Sequence, residues 1–551
     1  MYILSVSEMR ALESTANIAG HSYAQMMELA GQGLALAIHR RVTVKGRRVL
    51  ILVGPGNNGG DGLVAARLLQ ETGATVTAYL TQPRNAAEDP VYRQAQERRV
   101  TMIYADADRN GEELGRLVAQ CHILVDALLG TGAKSPLRGA VADILRKIQN
   151  SLAQPSPDPL TRLNTVPEPT EPRPFIVAVD GPSGLDFDAG TVDPLTLKAH
   201  LTVTFAAPKW GHFRFPGADY VGELLVANIG IPENIDMPKT SPQVATPALI
   251  REWLPPRPAN AHKGTFGKAL IVAGSVNYTG AAALAASAAV RAGVGLATLA
   301  IPNLLHAALA PIAPEATYLL LPHTLGVLDV PAIAVLAEKL GDYSALLLGP
   351  GLSHTAETTA FLRGLLGLEP KKRNAGFLPA ASESSFSAAR QFPPLVVDAD
   401  GLNILSEIPD WPTLLPDETI LTPHPGEMAR LTGLGAAEIQ ENRLEMARKY
   451  AHTWKHVVVL KGAFTVIAAP SGETIVLPFA NPGLSSAGTG DVLAGAMVAL
   501  RAQGLPAFQA AVVGAYLHGL AGELARQRIG DAGLAASELA HLLPEARRRL
   551  M

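Results

Sequence analysis

The chain has 551 residues, with 46 basic against 49 acidic side chains and a net charge of −3. That length exceeds what one hydrophobic core supports and predicts two domains, while the charge balance lacks the basic excess that a nucleic-acid backbone demands, so nucleic acid is not an expected partner. A single cysteine, Cys121, excludes an intrachain disulfide and a cysteine-based zinc site, and a reducing cytoplasm is the expected compartment.

Glu8, Arg10 and Glu13 interrupt the first residues, so no secretory signal is expected. Residues 22–40 and 61–72 have helical apolar spacing, and residues 48–53, 74–80, 122–126 and 175–180 are short apolar, β-branched runs. Such alternation predicts parallel strands joined by crossover helices. Residues 151–174 hold seven prolines and read as a surface insertion without chemistry. Proline crowds residues 232–258, which read as a linker or docking segment; the boundary falls near Ser241, giving domains 1–240 and 241–551.

The α/β pattern restarts at 268–273 and continues through 345–348, 395–398, 419–421 and 457–460. The most apolar stretch, 281–301, is broken by Arg291 and by glycine and proline, so it predicts a buried helix followed by a strand, and no membrane partner is expected. Residues 371–394, rich in serine and alanine, read as a second surface insertion. The fold class expected is α/β, with two three-layer domains.

The first chemistry-bearing turn is Gly54-Pro55-Gly56-Asn57-Asn58-Gly59-Gly60-Asp61-Gly62, between a strand and a helix. Unhindered N–H groups at such a helix start grip phosphate oxygens, although the lysine of a P-loop is missing. Two further strands end in polar groups on the same sheet edge: Asp126 before Gly130-Thr131-Gly132, and Asp180-Gly181-Pro182-Ser183-Gly184. Ligands of open α/β sheets bind at that edge. Taken singly, Asp126 reads equally as a helix cap.

These three motifs, in this order over residues 1–235, resemble the NAD(P)H-hydrate epimerases of the YjeF family. The resemblance implies a Rossmann-like domain. It assigns the hydrated dinucleotide to Asn57, Asn58, Gly59, Gly60 and Asp61 and to the turn Gly130, Thr131, Gly132, Ala133, Lys134, Ser135 and Pro136, with Asp180 at the reacting ring. It also implies potassium on Asn58, Asp126 and Ser183. An amide oxygen, a carboxylate and a hydroxyl are hard ligands suited to such a cation. The glycine after Asp180 departs from the family's frequent Ile or Val and leaves the ligand atoms in place.

The second domain carries Asn260-Ala261-His262-Lys263-Gly264, Gly349-Pro350-Gly351, Asp398-Ala399-Asp400, Pro423-His424-Pro425-Gly426-Glu427, Lys461-Gly462-Ala463-Phe464-Thr465 and Gly488-Thr489-Gly490-Asp491. The last opens the helix expected over 491–500, forming an N–H-lined cup for a phosphoryl group with Asp491 able to take a proton from an attacking hydroxyl. Asp398 and Asp400 read either as a metal pair or as a cap for the next helix. This ordered series resembles the ribokinase-like NAD(P)H-hydrate dehydratases over residues 246–550. The resemblance implies nucleotide contacts at Lys461, Gly462, Ala463, Phe464 and Thr465, with Gly490 and Asp491 at the transferred phosphoryl group. It also implies hydrated-dinucleotide contacts at Gly351, His424 and Ala281. Mg²⁺ is expected with the nucleotide, and ADP rather than ATP, because alanine, arginine and proline usage looks bacterial.

Together the motifs imply epimerisation of R and S hydrates of NADH and NADPH by the first domain and ADP-driven dehydration of the S epimer by the second, in a homo-oligomer. The alternative is a ribokinase-like small-molecule kinase with a regulatory dinucleotide-binding N-terminal module. A kinase would leave a stable phosphoester, whereas the dehydratase releases phosphate and a dihydronicotinamide.

Overall fold

A computed structural model describes residues 1–132, 135–153, 174–232, 241–368 and 392–551. The chain divides into two compact units, Tyr2–Pro238 and Lys239–Met551, the latter with Met1. Most of both insertions, together with Ala133 and Lys134, lies outside the described residues.

The first unit is built on strands β1 (Arg48–Val53), β2 (Thr75–Leu80), β3 (Thr101–Tyr104), β4 (Ile123–Ala127), β5 (Phe175–Val179), β6 (Leu201–Phe205) and β7 (Glu223–Ala227). They form one parallel sheet in the order β3-β2-β1-β4-β5-β6-β7. Alternate residues of each strand serve opposite layers, as the two-residue repeat of a strand requires: Val49, Ile51 and Val53 enter one core, Leu50 and Leu52 the other. Strand order reverses between β1 and β4, which splays their following loops apart and opens a crevice at the carboxyl edge.

The helix expected at 61–72 spans Asn57–Glu71, because Gly56 adopts an extended conformation and serves as N-cap. The glycines here are needed chiefly for close packing. A Cβ on Gly54 would lie 1.7 Å from the Leu128 carbonyl oxygen and one on Gly59 2.2 Å from that of Gly54, whereas Gly56 and Gly132 face open space. The helix at 22–40 is found at Tyr23–Arg41, preceded by a helix at Val6–Ile18 that sequence reading left unassigned. Both start at a serine whose side chain caps the third helical N–H while a Glu or Gln reaches back.

The second unit has β8 (Gln243–Val244), β9 (Lys268–Val272), β10 (Leu296–Pro302), β11 (Thr317–Leu321), β12 (His323–Thr324), β13 (Val327–Leu328), β14 (Ala345–Leu348), β15 (Leu395–Val397), β16 (Ile420–Leu421), β17 (Val457–Leu460), β18 (Val466–Ala468) and β19 (Thr474–Val476). The main sheet runs β11-β10-β9-β14-β15-β16-β17-β18-β19-β8, and its order reverses between β9 and β14. The β17-β18-β19 meander is antiparallel, an extension that the strand-helix alternation did not indicate.

Residues 281–301 form the expected helix and strand, at Thr279–Arg291 and Leu296–Pro302. The helix packs against Thr489–Ala502 so closely that a Cβ on Gly495 would lie 2.2 Å from the Ala285 carbonyl oxygen. Among the described residues no helix is long and apolar enough to cross a membrane. The linker reading of residues 232–258 needs correction: β8 and a helix at Pro247–Trp253 lie within that segment. Pro247 sits at a first-turn position, where a missing N–H costs nothing, and Thr246 caps the turn.

Candidate active sites

In the first unit, Asp126 ends β4 with 1% exposure, and its carboxylate is gripped by the β5 loop. The Ser183 hydroxyl donates to Oδ1 at 2.6 Å, the Ser183 N–H to Oδ2 at 2.9 Å, and the Leu128 N–H to Oδ1 at 3.2 Å. Burial nevertheless raises this carboxyl above its ordinary range, against the pull of those hydrogen bonds and with no cationic side chain among the described residues to oppose it. Asn58 lies against Gly130, where a Cβ would fall 3.3 Å from Asn58 Oδ1, and the buried Asn58 Nδ2 finds no hydrogen-bond partner among the described residues. Rotation of that amide exchanges its nitrogen and oxygen. Ser183 holds Asp126 and also accepts the Leu129 N–H, one residue before the Gly130 that Asn58 approaches, so a carboxylate, a hydroxyl and an amide flank one loop, a set of hard oxygen donors that fits potassium.

Asp180 follows β5 with φ +65°, a conformation that non-glycine residues rarely adopt. Its Oδ1 accepts from Lys209 Nζ at 2.5 Å and from Thr204 Oγ1 at 2.8 Å. His212 takes a backbone N–H from Lys209 on Nδ1, so its Nε2–H donates to the Asp180 carbonyl at 3.0 Å. Burial and the Lys209 charge push His212 down to about 4, keeping it neutral. Burial opposes charge on Asp180, yet the Lys209 ammonium and the two hydrogen bonds hold its carboxyl below the usual range.

Asp61, on the first turns of Asn57–Glu71, is the reverse case: burial, reinforced by Asp180 and Glu13, holds it well above that range. Glu13, from Val6–Ile18, is also raised, first by burial. In the 130–136 turn, Arg10 donates to the Thr131 carbonyl at 3.3 Å, and Ser135 Oγ is committed to Asp193 at 3.0 Å.

Sequence reading missed Glu13, Thr204, Lys209 and His212. The available signal was a lysine and a histidine just beyond β6, on the edge that carries Asp180.

In the second unit, Asp398 directly follows β15 and lies buried against Lys461, which directly follows β17. Lys461 Nζ is 2.8 Å from Asp398 Oδ1 and 3.5 Å from Glu427 Oε2, and Thr422 Oγ1 donates to Asp398 Oδ1 at 2.7 Å. Burial disfavours the Lys461 charge, but Asp398 and Glu427 together raise it above its ordinary value. His424 caps the helix Pro425–Thr432: its Nδ1 accepts from the Gly426 and Glu427 N–H groups, and its own N–H donates to Glu427 Oε2 at 2.8 Å. It therefore braces the turn that places Glu427 beside Lys461.

Gly490 closes this cluster, a Cβ there falling 3.7 Å from Lys461 Nζ and 4.0 Å from Asp398 Oδ2. The helix expected from Asp491 begins at Thr489, with Gly488 at φ +88° as its N-cap. Asp491, in its first turn, is raised to about 7 by burial and by Asp398 and Asp400, against the pull of Lys461.

The switch-point loops lie alongside. Gly351, at φ +62°, approaches Tyr278 and Ala281 so closely that a Cβ would be 2.8 Å from the Cβ of each. The Ser353 N–H donates to Asp400 Oδ2 at 2.9 Å, tying that loop to the Asp398–Asp400 turn. Within the Lys461–Thr465 loop, Thr465 Oγ1 and Gly462 close a local turn, and the Phe464 N–H donates to Phe479 O at 2.7 Å. Of the alternatives left open by sequence, Asp400 starts the helix Asp400–Leu405 and Asp398 pairs with a lysine. Cys121 is buried with its thiol on the Val118 carbonyl, and His262 caps the turn Lys263–Phe266 by accepting the Gly264 N–H.

The model of the YjeF-related protein N-terminus matches residues 23–211, and the NAD(P)H-hydrate dehydratase model matches residues 269–545. A bifunctional NAD(P)H-hydrate repair enzyme of Moorella thermoacetica is 38% identical, covering 100% of this chain and 97% of its own. One from Thermofilum pendens is 33% identical over the same shares. The crystal structure of an ADP/ATP-dependent NAD(P)H-hydrate dehydratase from Bacillus subtilis, co-crystallised with ATP/Mg²⁺, is 31% identical with a TM-score of 0.45, covering 56% of this chain and 99% of that one. With matched models in both α/β units and full-length identity to fused relatives, the chain belongs to the family of bifunctional NAD(P)H-hydrate repair enzymes, an epimerase unit followed by a dehydratase unit.

Proposed function

We propose that the first unit interconverts the R and S hydrates of NADH and NADPH at Asp180, and that the second dehydrates the S epimer at Asp491 with ADP as phosphoryl donor. The observation that carries this reading is the opposite setting of two buried carboxyls. Asp180 is held ionised by Lys209, while Asp491 is poised at about 7 beside a glycine-lined helix start. A carboxylate ionised at neutrality accepts a hydroxyl proton, and one poised near the operating pH both takes and returns it.

In the dehydratase, Asp491 takes the C6 hydroxyl proton as that oxygen attacks the terminal phosphorus of ADP, leaving AMP. The C6–O bond then breaks with its electrons leaving on phosphate, the N1 lone pair forms a C6=N1 bond, and loss of a C5 proton restores the dihydronicotinamide. The Gly488–Gly490 helix start and Lys461 oppose the developing phosphoryl charge. To meet a phosphate, Lys461 exchanges part of its interaction with Asp398 or Glu427.

Asp398 and Glu427 pair with the Lys461 ammonium, and Asp491 feels that ammonium together with Asp398 and Asp400, yet no described cluster forms a complete metal cage. That suits Mg²⁺ arriving with the nucleotide and held by one or two carboxylates, where it neutralises phosphate charge. In the epimerase, potassium at Asn58, Asp126 and Ser183 would compensate the uncancelled Asp126 carboxylate and fix the Gly130 loop against the Asn57–Glu71 helix. A cytoplasmic homo-oligomer, with ADP preferred to ATP, completes the reading.

Separated R and S hydrates supplied with ADP or ATP, with and without potassium, test it. Recovery of the reduced cofactor from both epimers, with release of free phosphate, is expected; accumulation of a stable phosphoester would favour the kinase reading.

A further inference from the structure

Lys209 has 1% exposure, and all three protons of its ammonium are spoken for. They meet Asp180 Oδ1 at 2.5 Å, Thr204 Oγ1 at 2.8 Å and the Phe205 carbonyl at 3.4 Å. Thr204, accepting from Lys209, spends its own hydroxyl proton on the same Asp180 Oδ1. No hydrogen bond reaches Asp180 Oδ2 among the described residues, and the Asp180 side chain retains 10% exposure. The lysine backbone is fixed as well, through the Leu4–Lys209 bridge and the Lys209 N–H to His212.

We propose that Lys209 is a positioning residue of the epimerase site: with Thr204 it occupies Oδ1 of Asp180 and leaves Oδ2 as the single base facing the hydrated ring. Having no donor to spare, Lys209 acts through Asp180 and not on the substrate. The left-handed backbone at Asp180 is retained by the same clamp, strain of the kind stored at functional sites.

The step balances on one oxygen. Oδ2 takes the proton of the C6 hydroxyl, a C6=O bond forms, and the C6–N1 bond breaks with its pair going to N1. The proton passes from Oδ2 to N1, the leaving nitrogen, while the oxygen stays on C6 as the carbonyl. After rotation about C5–C6 the same events in reverse close the ring on the other face, and the carboxylate is regenerated. The groups facing Asp180 are Lys209 and His212 beyond β6, Glu13 from Val6–Ile18 and Asp61 from Asn57–Glu71, with Arg10 facing Glu13. Burial favours the neutral form of both neighbouring carboxyls and His212 is neutral, so Lys209 is the cation that keeps Asp180 ionised.

This inference rests on the epimerase assignment of Asp180, and the full-length chain tests both separately. Exchange between separated R and S hydrates is followed without nucleotide, and dehydration of the S epimer by the same preparation reports a folded chain. For Lys209→Met, kcat for exchange falls about 100-fold, KM stays within about threefold, and the acid limb of the pH profile moves up by about two pH units. Thr204→Val, nearly isosteric, moves both readouts the same way, with about a tenfold fall in kcat, and carries the test if Lys209→Met does not fold. An unchanged pH profile in a folded variant, or a raised KM at unchanged kcat, overturns the positioning role. Absence of exchange in the unaltered chain would instead overturn the epimerase assignment.

Discussion

Ser183 grips Asp126 from two directions, its hydroxyl on Oδ1 at 2.6 Å and its N–H on Oδ2 at 2.9 Å, and this pairing joins the ends of β4 and β5. Ser183→Ala removes one grip and one oxygen ligand, so potassium affinity in the epimerase assay should fall about 10–100-fold. Because burial raises Asp126 and a cation needs its ionised form, affinity should also weaken as pH falls toward that raised value. Exchange rates titrated with potassium at several pH values check both effects; equal rates with and without potassium would remove the cation from the account.

Asp491 ionises at about 7, and the ionised form is the one that accepts a proton. Dehydratase kcat should therefore fall tenfold per pH unit below about 7 and level off above it. Asp491→Asn should lower dehydration by about 10²–10⁴-fold while epimer exchange persists. A pH profile flat from 5 to 8, with product release excluded as rate-limiting, would contradict the general-base role.

Gly495 allows Thr489–Ala502 to touch Thr279–Arg291, with only 2.2 Å between a Cβ at that position and the Ala285 carbonyl oxygen. Gly495→Ala should destabilise the second unit by about 1–3 kcal/mol. Gly341→Ala is the matched control, since a Cβ there meets nothing within 4 Å and the residue lies inside the short helical turn Leu340–Asp342. Denaturant unfolding followed by loss of dehydratase activity distinguishes them, the first variant shifting and the second staying near the parent.

Strand runs were legible because buried parallel strands need continuous apolar sequence, as in Arg48–Val53 and Val457–Leu460. Asp126, Asp180 and Asp491 were legible because each follows such a run or opens a glycine-lined helix. Their partners were not. Lys461 meets Asp398 across 63 residues and Ser183 meets Asp126 across 57, pairings set by strand order. Lys209 carried no signal of its own, since nothing local shows that β6 lies beside β5 and carries Thr204 toward Asp180. The capped helix at Pro247–Trp253 was hidden by its prolines, which mark a linker and a helix start equally well.

The most direct measurement supplies R and S hydrates separately, with ADP, to the parent chain and to Asp180→Ala and Asp491→Asn. The parent should restore the reduced cofactor from both epimers. Asp180→Ala should process S at the parent rate and R only as fast as it epimerises spontaneously, while Asp491→Asn should exchange the epimers and restore neither. Loss of both activities from either folded variant, or rapid clearance of R by Asp180→Ala, would contradict two separate carboxyl-based sites.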